Sequence, residues 1–319
     1  MPKILANDGL APSAVSRLNE AGFEVDTEKV PQDELATAIN ENNYVGILVR
    51  SATTVRKDLI DACSGLKLIG RAGVGMDNID VDYARDKGIH VVNTPAASSQ
   101  SVAELVMGHL FGISRFLHES YAVMPEKGAD EFAKLKKSFA KGTELRGKTI
   151  GIIGLGRIGR YTASYAAGIG MKVIAYDPMV KDANATLNVE IGAQKVQVHI
   201  PVVDLPDLYA ESDYISLHVP KQKDGAIIND KAISLMKDGV RIVNAARGGV
   251  IDEDALLSGL ESGKVAFAAL DVFENEPNPR KDLLTHPRIA TTPHIGAATV
   301  EAQDRIGLEL ADQIIDLVK

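Results

Sequence analysis

Short apolar runs alternate with longer amphipathic stretches along the whole chain, the pattern of parallel strands joined by crossover helices. The first series of runs predicts strands at Lys3–Ala6, Phe23–Asp26, Tyr44–Val49, Lys67–Arg71 and His90–Val92, with helices between them such as Pro12–Ala21 and Val81–Lys87. A second series predicts strands at Thr149–Ile153, Lys172–Tyr176, Asp213–Leu217, Arg241–Asn244, Ala266–Leu270 and Ile289–Thr292. Ile150–Ile153 and Ile242–Asn244 barely alternate, as expected of strands buried on both faces. Two series imply two α/β lobes.

The change of lobe falls near Thr94-Pro95. Beyond it, Ser101-Val-Ala-Glu104 has capping-box spacing and predicts a helix running to about His118. Tyr121 to Arg146 is polar and lysine-rich, the pattern of helix plus loop. Near the end, Ile306, Leu310, Ile314 and Leu317 recur at helical spacing. That helix is expected to return to the first lobe, so that 1–97 plus 296–319 form one domain and 98–295 the other.

Composition narrows the function classes. Among 319 residues, 45% are hydrophobic and 24% charged, as in ordinary globular proteins. A formal net charge of −8 repels phosphate backbones and argues against a nucleic-acid partner. The single cysteine, Cys63, leaves no internal disulfide and fits a reducing cytoplasm. The N-terminus shows no apolar signal region, and no apolar run approaches the ~18 residues that span a membrane. The expected setting is cytoplasmic, without a membrane partner.

The strongest local motif is Lys148-Thr-Ile-Gly-Ile-Ile-Gly154-Leu-Gly156-Arg-Ile-Gly159. It places G-x-G-x-x-G after an apolar strand and before a helix. Gly154 permits the tight turn, Gly156 lets the backbone approach a pyrophosphate, and Gly159 allows helix to pack on strand. The next predicted strand ends at Asp177, spaced to meet adenosine ribose hydroxyls. An ordinary glycine turn with a surface aspartate is the plainer alternative, and the strand–turn–helix context weighs against it.

Further segments close the later strands: Ser216-Leu-His218-Val-Pro220, Asn244-Ala-Ala-Arg247-Gly-Gly-Val-Ile-Asp252, Leu270-Asp271-Val-Phe-Glu274-Asn-Glu276-Pro277 and Thr292-Pro293-His294-Ile-Gly296-Ala297. With the glycine motif, this ordered set resembles the D-isomer-specific 2-hydroxyacid dehydrogenases over nearly the whole chain. The resemblance implies an NAD-binding Rossmann domain inserted in a flavodoxin-like substrate domain, both doubly wound. It implies a catalytic trio of Arg247, Glu276 and His294. It puts coenzyme contacts on Arg157, Ile158, Asp177, Val219, Ala245 and Asp271 beside the three glycines, and extends that surface to Val74, His218, Pro220, Ala246, Gly296 and Ala297. A homodimer is a further family-based expectation, with the helix from Ser101 and the 121–146 stretch as its expected contact.

The chemistry calls for these residue types. Oxidising a secondary alcohol sends a hydride to nicotinamide and a proton to a base, and a histidine exchanges protons near neutral pH. A carboxylate at Glu276 would favour the imidazolium and fix its orientation. Arg247 offers a planar fork to a carboxylate and a donor to the carbonyl oxygen. No pair of the seven histidines has metal-ligand spacing, so no metal is expected; His218 is expected to line the coenzyme site, and His90, His109, His118, His199 and His286 to be structural or exposed.

On the substrate side, Val49-Arg50-Ser51-Ala-Thr-Thr54 and Gly70-Arg71-Ala-Gly73-Val74-Gly75-Met-Asp77-Asn78 follow strands of the first lobe. The second resembles the family's carboxylate-binding loop, with backbone N–H groups and Asn78 meeting the substrate. The pair Arg50 and Arg71, with Gly142-Thr-Glu-Leu-Arg-Gly147, is most similar to the branch that oxidises 3-phospho-D-glycerate to 3-phosphooxypyruvate, the first step of serine biosynthesis. Ion pairs to local carboxylates are the alternative use of both arginines. Val74 departs from that branch, where a small polar residue is common, and the chain stops at Lys319, short of the C-terminal amino-acid-sensing domain of longer members. A reductase for glyoxylate, hydroxypyruvate or D-lactate, and an NAD-sensing corepressor, remain open alternatives.

Overall fold

The computed structural model describes the backbone of every residue except 192 and 319, and every side chain except those of 190–192 and 318–319. The chain divides into two compact units, Met1–Ser101 with Ala297–Lys319, and Val102–Gly296.

The first unit runs β1 (Lys3–Ala6), α1 (Pro12–Glu20), β2 (Glu24–Asp26), α2 (Leu35–Glu41), β3 (Tyr44–Val49), α3 (Lys57–Ala62), β4 (Leu68–Arg71), α4 (Val81–Asp86) and β5 (His90–Asn93). Its sheet is parallel throughout, in the order β2-β1-β3-β4-β5, the flavodoxin-like winding. Successive strand residues point to opposite faces, and here both faces are apolar. Leu5, Ile47, Val49 and Ile69 pack with Leu35, Ile39, Leu59 and Ile60 from α2 and α3.

α5 (Ser99–Arg115) runs across the boundary at Ser101 into the second unit, which continues with α6 (Leu117–Ser138). Its sheet uses β6 (Thr149–Ile153), β7 (Lys172–Tyr176), β10 (Tyr214–Leu217), β11 (Val240–Asn244), β12 (Val265–Leu270) and β13 (Ile289–Thr291), with α7 (Arg157–Gly168), α8 (Leu205–Glu211), α9 (Asp230–Leu235), α10 (Glu253–Ser262) and α11 (Lys281–Leu284) connecting them. The parallel order is β13-β12-β11-β10-β6-β7. After β7 the chain forms an antiparallel hairpin, β8 (Asn184–Ile191) with β9 (Gln194–Pro201). Val202 then makes one parallel bridge to Ala175 of β7, a remnant of the third strand of a Rossmann sheet. The hairpin stands where a crossover helix is expected, burying Ala185, Leu187 and Ile200 with Ala163 and Ala166 of α7.

Two helix boundaries differ from the sequence expectation. α5 starts at Ser99, so Ser101 lies in its first turn and does not cap it. The long helical stretch is broken at Phe116, whose φ of 56° ends α5 and starts α6. The last helix, α12 (Val300–Val318), belongs to the first unit. Its Ile306, Leu310, Ile314 and Ile315 cover the face bearing Ile4, Leu48 and Leu68, together with Ala14 and Leu18 of α1.

Candidate active site

The carboxyl ends of β6, β7, β10, β11, β12 and β13 gather the motif residues of the second unit, the edge at which open parallel sheets bind ligands. Between β6 and α7, Gly154 adopts φ 95°, and a side chain at Gly159 would collide with the Gly154 carbonyl. Gly156 is the N-cap of α7 and offers no side-chain cap, while the space beside its Cα is open. The first N–H groups of α7 are thus left to an anionic partner. Asp177 braces the loop: Oδ2 accepts from Leu155 N at 2.8 Å and Oδ1 from Met179 N at 2.8 Å. A backbone cradle at an uncapped helix, with a carboxylate one strand away, fits a dinucleotide. Arg157 and Ile158 open α7. Val219 and Pro220 follow β10, and Ala245 and Ala246 follow β11.

His218 lies beside this loop. Its Nε2 is 2.9 Å from Ser216 Oγ, and its Nδ1 is buried with no protein partner. Burial pushes its pKa down to about 3, so the ring is neutral at physiological pH.

The trio comes from three adjacent loops, after β11, β12 and β13. His294 Nδ1 lies 2.7 Å from Glu276 Oε2, and Glu276 Oε1 accepts from Phe273 N at 3.0 Å. Burial alone raises the Glu276 carboxyl. The bonds from His294 and Phe273, with the charges of His294 and Arg247, outweigh it and hold the group below the ordinary carboxylate value. Nδ1 is committed to Glu276, which leaves Nε2 for proton exchange. Arg247 donates from Nη1 to Ala246 O at 2.7 Å, and Asn244 fastens that loop by bonding Arg247 O and Ala246 N.

In the first unit, Arg50 and Ser51 line an open cavity of about 450 Å³ with Asn7, Asp8 and Lys29. Asp8 organises it. Its Oδ2 accepts from Arg50 N and Thr53 N at 2.7 and 3.0 Å, and its Oδ1 from Thr53 Oγ1 at 2.7 Å and Lys29 Nζ at 2.5 Å. Burial raises the Asp8 carboxyl, but these donors prevail and its pKa is lowered. Asn78 spends its amide donors on Arg50 O and Thr53 O, so it braces the Arg50 loop. Arg71 turns its guanidinium onto the carbonyl of Ala72. Gly73 and Gly75 lie in the same loop, with Val74 38% exposed.

Several expected contacts have other work. Asp271 is 1% exposed and binds the His294 turn through Ile295 N at 2.8 Å and Gly296 N at 2.9 Å. Ala297 belongs to the first unit and packs on its core. Residues that the sequence reading passes over also matter. Asp8 and Lys29 shape the cavity. The buried Glu253 accepts from Glu274 N at 3.0 Å, bracing the Glu276 loop, and burial raises its pKa. Their only sequence signal is a polar residue just beyond a strand or at a helix start. Among the described residues there is no cluster suited to a metal ion, and no helix is long and apolar enough to cross a membrane.

Residues 107–296 match the family described as D-isomer specific 2-hydroxyacid dehydrogenase, NAD binding domain. The chain is 46% identical to hydroxypyruvate reductase from Thermotoga maritima over 319 residues, covering 98% of this chain and 97% of that protein. It is 40% identical to D-3-phosphoglycerate dehydrogenase from Sus scrofa over 99% of its own length, but spans 56% of that protein. A crystal structure of a glyoxylate reductase from Paecilomyes thermophila matches with a TM-score of 0.81 at 29% identity, covering 100% of this chain and 95% of that one.

Proposed function

The chain belongs to the D-isomer-specific 2-hydroxyacid dehydrogenases, and from that premise we propose that it interconverts 3-phospho-D-glycerate and 3-phosphooxypyruvate with NAD. The observation that carries the redox chemistry is the His294–Glu276 pair at 2.7 Å. When bound, NAD supplies the hydride acceptor at the substrate carbon. In oxidation the substrate hydroxyl proton passes to His294 Nε2; in reduction Nε2–H returns it to the carbonyl oxygen. Glu276 keeps the ring oriented, and Arg247 binds the substrate carboxylate and stabilises charge on the reacting oxygen. Recognition of the phosphate is proposed for Arg50 and Ser51.

Hydroxypyruvate reduction is the second reading. The turn of Arg71 onto Ala72 favours it, since one arginine of the expected phosphate clamp is then engaged elsewhere. The test is kcat/KM for 3-phosphooxypyruvate, hydroxypyruvate and glyoxylate in the wild type, Arg50→Ala and His294→Ala. Arg50→Ala should cost the phosphorylated substrate about 10- to 150-fold and spare glyoxylate. His294→Ala should cost all three about 10²–10⁴-fold while NADH still binds. A preference for hydroxypyruvate that Arg50→Ala leaves intact would replace the first reading with the second. The exposed Phe111, Tyr121 and Phe132 on α5 and α6 support a second copy of the chain as partner.

A further inference from the structure

His294 is held in an uncommon backbone state. Its φ is 54°, in the left-handed region that non-glycine residues seldom occupy unless their surroundings impose it. The constraint comes from underneath. Asp271 Oδ1 accepts from Ile295 N, and Oδ2 from Gly296 N, the two amides that follow His294. Asp271 Oδ1 also accepts from Thr292 Oγ1 at 2.6 Å, on the other side of the turn. Thr292 Oγ1 in turn lies 3.1 Å from Nε2 of His109 on α5.

The protons on this chain can be assigned. A carboxylate only accepts, and a threonine hydroxyl has one hydrogen. That hydrogen goes to Asp271, so Thr292 must accept from His109, and the His109 proton sits on Nε2. The ring is 7% exposed. Burial, helped by His118 and opposed by Asp271, keeps its pKa below the ordinary histidine value. The result is a directed relay, Nε2–H to Oγ1–H to Oδ1, in which each bond polarises the next. It runs from a long helix to the two amides that set the angle of the His294 turn.

We propose that His109 is a positioning residue: through Thr292 and Asp271 it fixes the turn that presents His294 to Glu276 and to substrate. The inference rests on the acid–base role proposed for His294. His109 itself exchanges no proton with substrate.

The test compares His109→Leu, His109→Gln, Thr292→Val and the double variant His109→Leu/Thr292→Val in the full chain. Small misplacements of a reacting group can cost about 100-fold in rate. His109→Leu should therefore lower kcat about 10- to 100-fold, leave NADH affinity unchanged, and raise the solvent deuterium isotope effect on kcat. His109→Gln keeps an N–H donor and should recover most of the loss. Thr292→Val should act like His109→Leu, and the double variant should be no worse than Thr292→Val alone, because both break one chain. Nitrogen-detected spectra of the imidazoles should show His109 protonated at Nε2, and His294 signals displaced in His109→Leu but restored in His109→Gln. Full kcat in His109→Leu, equal losses in the Leu and Gln variants tracking Tm, multiplicative losses in the double variant, or a proton on His109 Nδ1 would each overturn the proposal. If the wild type turns over no 2-oxoacid, the proposed reaction fails, and the spectra still decide: displaced His294 signals support positioning, and unmoved ones reject it.

Discussion

His218 and His294 follow strands of one sheet, and their surroundings divide their chemistry. His294 is exposed and leans on a carboxylate; His218 is half-buried, with its Nδ1 buried and unpartnered. A histidine whose folded pKa is depressed binds fewer protons folded than unfolded, so stability falls as pH drops below its unfolded value of about 6.5, down to the folded value of about 3. Between pH 7 and pH 5 this single group should cost about 2 kcal/mol. Urea unfolding of His218→Gln should show that much less acid sensitivity than the wild type; identical slopes would mean the ring is solvated. Asp177 makes a different prediction. Its carboxylate at the end of β7 is the proposed ribose contact, and a negative charge there would repel a 2′-phosphate. Asp177→Ser should narrow the preference for NADH over NADPH, measured as the ratio of kcat/KM, and loosen the loop whose Leu155 amide it holds. The glycine motif, Asp177 and the trio are legible because each sits in a short run with its own spacing. The Asp8 brace, the Asn78 brace and the His109 relay are not, because they join residues 21 to 183 positions apart, and only the fold brings them together.

At the scale of elements, the β strands of both sheets are legible almost residue by residue, since buried parallel strands are near-continuous apolar runs between turns. The hairpin of β8 and β9 has its own signal, the strict alternation of Ala185, Leu187 and Val189, which marks a half-buried strand. No strand is expected there because βαβ winding calls for a helix between β7 and the next strand. The break at Phe116 has no glycine or proline to announce it. The hairpin is anchored through Leu187, 4% exposed among residues of α7. Leu187→Ala should cost about 2–5 kcal/mol, read as a lower urea midpoint with unchanged slope. A change under 0.5 kcal/mol would mean the hairpin contributes no core.

At the scale of the molecule, one unit is continuous in sequence and the other is not. Val102–Gly296 contains its whole sheet, all of the trio and the glycine loop. Expressed alone, 102–296 should unfold cooperatively and bind NADH; a chain that is unfolded by circular dichroism would show that the unit depends on the rest. The fragment 1–101 should stay unfolded, because the face bearing Ile4, Leu48 and Leu68 is covered by α12. That closing helix is joined at its surface to α1 by Arg17–Asp312 and by Ser13–Asp304.

The placement of α12 sets an order of events during synthesis. A ribosome adding about 5–20 residues per second delivers Ile306 and Leu310 roughly 10–50 s after Leu48. For that interval one side of the first sheet is greasy and uncovered, while Val102–Gly296 can already close on itself. Nascent chains should therefore be held by chaperones at the N-terminal third, and slow translation should prolong that contact without delaying the coenzyme half.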